Sequence, residues 1–91
     1  MKAVRLVIEG RVQGVGFRVW VEREARARDL TGFVRNRGDG AVEAVLCGDG
    51  ESVEELMVAC NRGPRLAHVR NVRSEPIAPE DWPDFSVLPT N

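Results

Sequence analysis

Two stripes of apolar residues at helical spacing, each set between stretches that alternate with a period of two, restrict this chain to very few architectures. Phe17, Val21 and Ala25 form the first stripe, within a run from Phe17 to Leu30 that holds neither Gly nor Pro. Glu22–Arg26 and Glu24–Arg28 add i,i+4 pairs in the favourable order. Val53, Leu56, Met57 and Cys60 form the second stripe. Ahead of it, Ser52-Val53-Glu54-Glu55 has the pattern of a capping box, with Ser52 as N-cap and Glu55 reaching back. Gly63-Pro64 stops that helix.

The alternating stretches supply the strands. Val4, Leu6 and Ile8 interleave with Arg5, Val7 and Glu9, so one face of a first strand lies on a core. Gly32 is expected to end the first helical unit, and Phe33 to Asn36 reads as a second strand. Arg37-Gly38-Asp39-Gly40 supplies hairpin chemistry, leading to a third strand in which Val42, Ala44 and Leu46 alternate with Glu43, Val45 and Cys47. His68 to Glu75 reads as a fourth. Pro76, Pro79, Pro83 and Pro89 make the tail irregular, with Phe85-Ser86-Val87 at most a short edge strand. The order β-α-β-β-α-β predicts an α+β fold: a two-layer ferredoxin-like sandwich, with an antiparallel four-stranded sheet and two helices on one face. Residues 1–91 are expected to form a single domain, since a chain this short has no room for a second core.

Composition removes several function classes. Thirteen Lys+Arg against fourteen Asp+Glu leave a net charge of −1, which gives little drive toward nucleic acid or an anionic membrane. Phe33 is the one aromatic residue in a strand of the expected sheet, too little for stacking single-stranded bases. No run approaches the ~18 apolar residues of a spanning helix, and Met1 to Leu6 has no apolar signal region, so a cytoplasmic location is expected. Cys47 and Cys60 are too few for a disulfide framework or a four-thiolate zinc site, and are expected to be free thiols. Lys2 is the only lysine, so no phosphate-binding Gly-Lys-Ser/Thr loop exists. His68 is alone, which removes two-histidine phosphoryl transfer and histidine-rich metal sites.

One segment stands outside these exclusions. Gly10-Arg11-Val12-Gln13-Gly14-Val15-Gly16-Phe17-Arg18 is a glycine-rich turn leading into a helix. Such a turn aims successive backbone N–H groups at one point, where the helix N-terminus adds partial positive charge. Arg18 falls in the first helical turn, an unfavourable place for a cation by ~0.3–1 kcal/mol. A bound anion would offset that conflict. A tight turn that needs glycine for its shape alone, with Arg18 solvated, accounts for the same residues equally well.

The same segment resembles the first signature of the acylphosphatase family. Gly32-Phe33-Val34-Arg35-Asn36-Arg37-Gly38-Asp39-Gly40-Ala41-Val42-Glu43 resembles its second, in the right order and without gaps. Gly63-Pro64 and Phe85-Ser86-Val87 also look familial. The resemblance, to a small stand-alone acylphosphatase, implies hydrolysis of the carboxyl-phosphate anhydride of small acyl phosphates to a carboxylate and inorganic phosphate. It implies that the backbone amides of Gln13, Gly14, Val15, Gly16, Phe17 and Arg18 cradle the phosphoryl oxygens. It further implies that Arg18 binds them as a charged fork and that Asn36 orients the attacking water. No cofactor and no metal is implied, and inorganic phosphate or another anion would bind as product or inhibitor. A monomer is expected, with no nucleic-acid or membrane partner. The competing reading is a non-catalytic anion-binding regulatory module on the same fold.

The remaining polar residues read as structural. Arg35, Arg37 and Arg11 are expected to be solvated, and Glu22, Glu24 and Glu43 to lie on a solvated face without forming an acid–base pair. Trp20 and Trp82 read as packing residues, and Asp39-Gly40 as the hairpin that holds Asn36.

Overall fold

The computed structural model describes residues 1–91. In chain order the elements are β1 (Lys2–Arg11), α1 (Phe17–Ala27), β2 (Thr31–Asn36), β3 (Val42–Gly48), α2 (Gly50–Cys60), β4 (His68–Pro76) and β5 (Phe85–Val87). The strands lie side by side in the order β4-β1-β3-β2-β5. The first four strands pair antiparallel as expected, β1 lying between β3 and β4, and β2 on the far side of β3.

The tail corrects the expected four-stranded sheet. Phe85 to Val87 runs parallel to β2, with Gly32 opposite Phe85 and Val34 opposite Val87, so the sheet is five-stranded and mixed. The physical reason is the unpaired edge of β2, whose backbone needs partners. Gly32 N donates to Asp84 O at 3.1 Å and Leu88 N to Val34 O at 2.9 Å. Phe85, fully buried, fastens the short strand to the core. Residues 77–84 reach that edge by crossing the sheet face away from the helices, where Trp82 meets the edge of Phe33 and Glu80 O accepts from Cys47 Sγ.

Alternation and helical period decide which residues face the core between sheet and helices. Val4, Leu6 and Ile8 of β1 and Val42, Ala44 and Leu46 of β3 belong to one core cluster with Val34 and Phe85. Phe17, Val21 and Ala25 of α1, and Val53, Leu56 and Cys60 of α2, close over them. The register that buries Leu46 turns Cys47 to the opposite face from Cys60. Both thiols are free, and burial pushes that of Cys60 up to about 12.

Both helix-end expectations shift. Helix α1 stops at Ala27 and not at Gly32: Asp29 takes a left-handed φ of 57°, Leu30 N bonds Ala25 O at 2.9 Å and Asp29 N bonds Arg26 O at 3.1 Å. That is the Schellman pattern, with Leu30 as its apolar follower, and it leaves Gly32 free to enter β2. Helix α2 is capped by Asp49, whose carboxylate accepts from Ser52 N at 3.2 Å, so the Ser52–Glu55 box does not form. Because β3 ends at Gly48, the helix begins three residues earlier than Ser52 would set it.

Candidate active site

The chain leaves β1 at Arg11 and enters α1 at Phe17, and the five residues between are tied down at both ends. Val12 and Phe17 are 1% and 2% exposed, so the loop is strung between two core side chains. Gly63 helps seat the second: its φ is +68°, and a Cβ there would stand 2.4 Å from the Phe17 ring. Trp20 meets the same ring edge-on, with centroids 5.4 Å apart. Between the two tethers Gly14 and Gly16 take φ of +74° and +80°, which turns the backbone amides outward from the core.

Those amides have no acceptor within the chain. Helix α1 has Gly16 at its N-cap, no capping side chain and no acid in its first turn. Trp20 N is the first amide to be satisfied, by Gly16 O at 3.1 Å, and no hydrogen bond engages the N–H groups from Gly14 to Val19. Arg18, half-buried in this first turn, forms no ion pair.

Asn36 approaches from β2. Its carbonyl accepts from Asn91 N at 3.0 Å, while its side-chain amide makes no bond within the chain. The hairpin beyond it is closed by Arg37 N donating to Ala41 O at 2.8 Å, and Asp39 Oδ1 accepts from Ala41 N at 3.1 Å. That bond, followed by the Arg37 guanidinium, holds the Asp39 carboxyl below the usual carboxylate range.

A cavity of about 240 Å³ brings these pieces together, lined by Gly14, Gly16, Arg18, Val19, Asn36 and Val87 over a floor of Val12 and Phe17. Arg18 and Asn36, distant in sequence, share this space, as do Gly14, Gly16 and Phe17 from the expected cradle. Gln13 and Val15 do not line it. Val15 packs against the core, and Gln13 turns its side chain to the hairpin, where Nε2 donates to Arg37 O and Ala41 O, each at 2.9 Å. The sequence reading missed Val19, Val87 and this use of Gln13. Val19 was signalled by its place one position after Arg18, whereas Val87 comes from the tail and no local pattern announced it.

Three expectations about charge are corrected. Arg35 and Arg37 are not solvated: Arg35 Nε holds Glu43 Oε1 at 2.7 Å and Arg37 holds Asp39 at 2.9 Å. Glu43 is not on a solvated face either; it is 4% exposed, clamped between Arg35 and Arg5. Burial pushes its carboxyl up, but hydrogen bonds from Arg35 and Arg5 outweigh that and leave it lowered. A larger cavity of about 330 Å³ lies on the open sheet face against Arg5, Arg37, Arg73 and Glu75, but each of its arginines already holds a carboxylate. A third cavity of about 510 Å³ also carries unpaired arginines, Arg62 and Arg65, but only the smaller one joins an unpaired arginine, Arg18, to the open N-terminus of a helix. No three His, Cys, Asp or Glu side chains gather anywhere to hold a metal ion.

Known proteins resemble this chain in sequence and in fold. The sequence profile of the acylphosphatase family matches residues 4–87. The acylphosphatase of Acidiphilium cryptum is 49% identical over 85 residues, which is 93% of each chain. That of Rhodospirillum rubrum is 43% identical over 90 residues, 99% of each. The crystal structure of acylphosphatase from Bacillus subtilis superposes with a TM-score of 0.93 at 35% identity, covering 97% of this chain and 99% of that one. With the match running through both glycine-rich segments and on to the short closing strand, this chain belongs to the acylphosphatase family.

Proposed function

We propose that this protein hydrolyses small acyl phosphates at the cavity between the β1–α1 loop and β2. One observation carries the reading: the free amides of the α1 N-terminus, the unpaired Arg18 and the free side-chain amide of Asn36 face one space. The phosphoryl group is held by the free backbone amides of the loop and the first turn of α1, from Gly14 onward, and Arg18 closes on its oxygens as a planar two-pronged donor. The Asn36 amide, able to donate and accept at once, holds a water in line with the leaving acyl oxygen. The water oxygen bonds to phosphorus as the bond from phosphorus to the acyl oxygen breaks. An acyl phosphate dianion and water thus give a carboxylate and dihydrogen phosphate. A carboxylate leaves without help from an acid, so positioning and charge stabilisation carry the step, and no metal is required. We assign the protein to the cytoplasm as a monomer.

The test is the loss of an aromatic acyl phosphate, followed by ultraviolet absorbance in excess chelator, for wild type and Arg18→Ala. The expected result is wild-type hydrolysis and a fall of at least ~10³-fold in kcat/KM for the variant. Hydrolysis abolished by the chelator overturns the metal-free chemistry. Phosphate binding without turnover makes the protein an anion-binding module instead.

A further inference from the structure

We infer that the Gln13 side chain is a positioning residue that sets the distance between the phosphate cradle and Asn36. The inference rests on the hydrolase reading above. The Gln13 amide nitrogen donates to Arg37 O and to Ala41 O, both at 2.9 Å. Both partners are carbonyls and can only accept, so the amide has one possible orientation and uses both of its hydrogens.

The hairpin is built to need that amide. Arg37 and Ala41 would close a hairpin with two reciprocal backbone bonds. Only one forms, Arg37 N to Ala41 O at 2.8 Å, because Ala41 N turns to Asp39 Oδ1 instead. Arg37 O takes Gly40 N at 3.1 Å, and Gln13 becomes the second donor to both carbonyls. Losing it would leave two part-buried carbonyls under-satisfied and the turn free to shift.

Position along the chain makes this more than a structural bond. Gln13 immediately precedes Gly14, where the amides turn toward the cavity, and Arg37 immediately follows Asn36. Consecutive Cα atoms lie ~3.8 Å apart, so each end of the tether is one residue from a group that acts on the substrate. Val12 and Phe17 hold the loop to the core, and the β3 ladder holds β2. Among residues 12–19, Gln13 alone bonds the 37–41 turn. A water held by Asn36 reaches phosphorus in line only if loop and hairpin keep one spacing, and an error near 1 Å is worth on the order of 10²-fold in rate.

The experiment compares wild type, Gln13→Leu, Asn36→Ala and the double variant on an aromatic acyl phosphate, with inorganic phosphate as inhibitor, well below each melting temperature. Gln13→Met replaces Gln13→Leu if the latter is unfolded at the assay temperature. The expected result for Gln13→Leu is a kcat at least ~10-fold lower with a phosphate inhibition constant within ~3-fold of wild type. In the Asn36→Ala background the same change should cost less than ~2-fold, because no oriented water remains to be misplaced. An unchanged kcat with a lowered melting temperature overturns the inference and makes the tether purely structural. Losses that multiply in the double variant, or phosphate affinity that falls in step with kcat, also overturn it. If the wild type hydrolyses nothing, the hydrolase reading itself fails; if Gln13→Leu and wild type hydrolyse equally, only this inference does.

Discussion

The two helices of this protein begin in opposite ways. Helix α2 satisfies its own N-terminus: Asp49 accepts from Ser52 N at 3.2 Å, and Glu51 places an acid in the first turn. Helix α1 has Gly16 where Asp49 stands in α2, no acid in its first turn, and a cation, Arg18, at its second position. By the usual rules α2 is the stable design, since a missing N-cap costs ~1 kcal/mol and a cation near the positive helix end adds to it. The two helices are the same length and bury equivalent apolar stripes, so overall stability does not explain the contrast. The difference lies in who supplies the acceptor. In α2 it is the chain; in α1 the chain supplies none, and in the function proposed above a phosphoryl group takes that place, so the breach of local rules falls at the proposed site.

Three substitutions probe that contrast, beginning with the largest effect. Asn36→Ala removes the side chain proposed to orient water while leaving the open helix end intact. It should lower kcat by at least ~10²-fold with phosphate affinity preserved, measured by steady-state kinetics and phosphate inhibition. A parallel loss of phosphate affinity would assign Asn36 to the cradle. Val19→Glu gives α1 the first-turn acid that α2 has, at an exposed residue on the cavity wall. Its carboxylate should occupy the free amides, raise KM and the phosphate inhibition constant together by ~10-fold, and stabilise the fold by ~0.3–1 kcal/mol. Stabilisation without a rise in KM would mean that the substrate does not use the helix end. Asp49→Ala makes α2 resemble α1 and should destabilise by ~1 kcal/mol in denaturant melts, with kcat/KM unchanged. A loss of activity there would couple the two helix ends in a way the separate sites do not provide.

The reach of the sequence can be followed along particular elements. The α1 stripe Phe17, Val21 and Ala25 comprises the buried residues of that helix, and Val4, Leu6 and Ile8 face the core as their alternation predicts. The pairs Glu22–Arg26 and Glu24–Arg28 form at 3.3 and 2.8 Å. Boundaries were less legible. Asp49 and Ser52 are both good N-caps three residues apart, and only where β3 stops decides between them. Glu43 was misread because its burial depends on Arg5, which lies beside β3 only once the sheet is assembled. At the site, glycine spacing and Arg18 marked the loop, and the paired signatures marked Asn36. Nothing near Gln13 told that its side chain bonds a hairpin 24 residues away.

Local sequence, then, determined the periodicities, the turns and the open helix end, because each depends on residues within a turn or a pleat of one another. Tertiary structure decided which arginines are paired and which are left free, where the tail adds its parallel strand, and how far Asn36 stands from the loop before α1. Those outcomes depend on partners supplied by other elements, and the backbone groups and charges choose among them only when packing has brought the elements together.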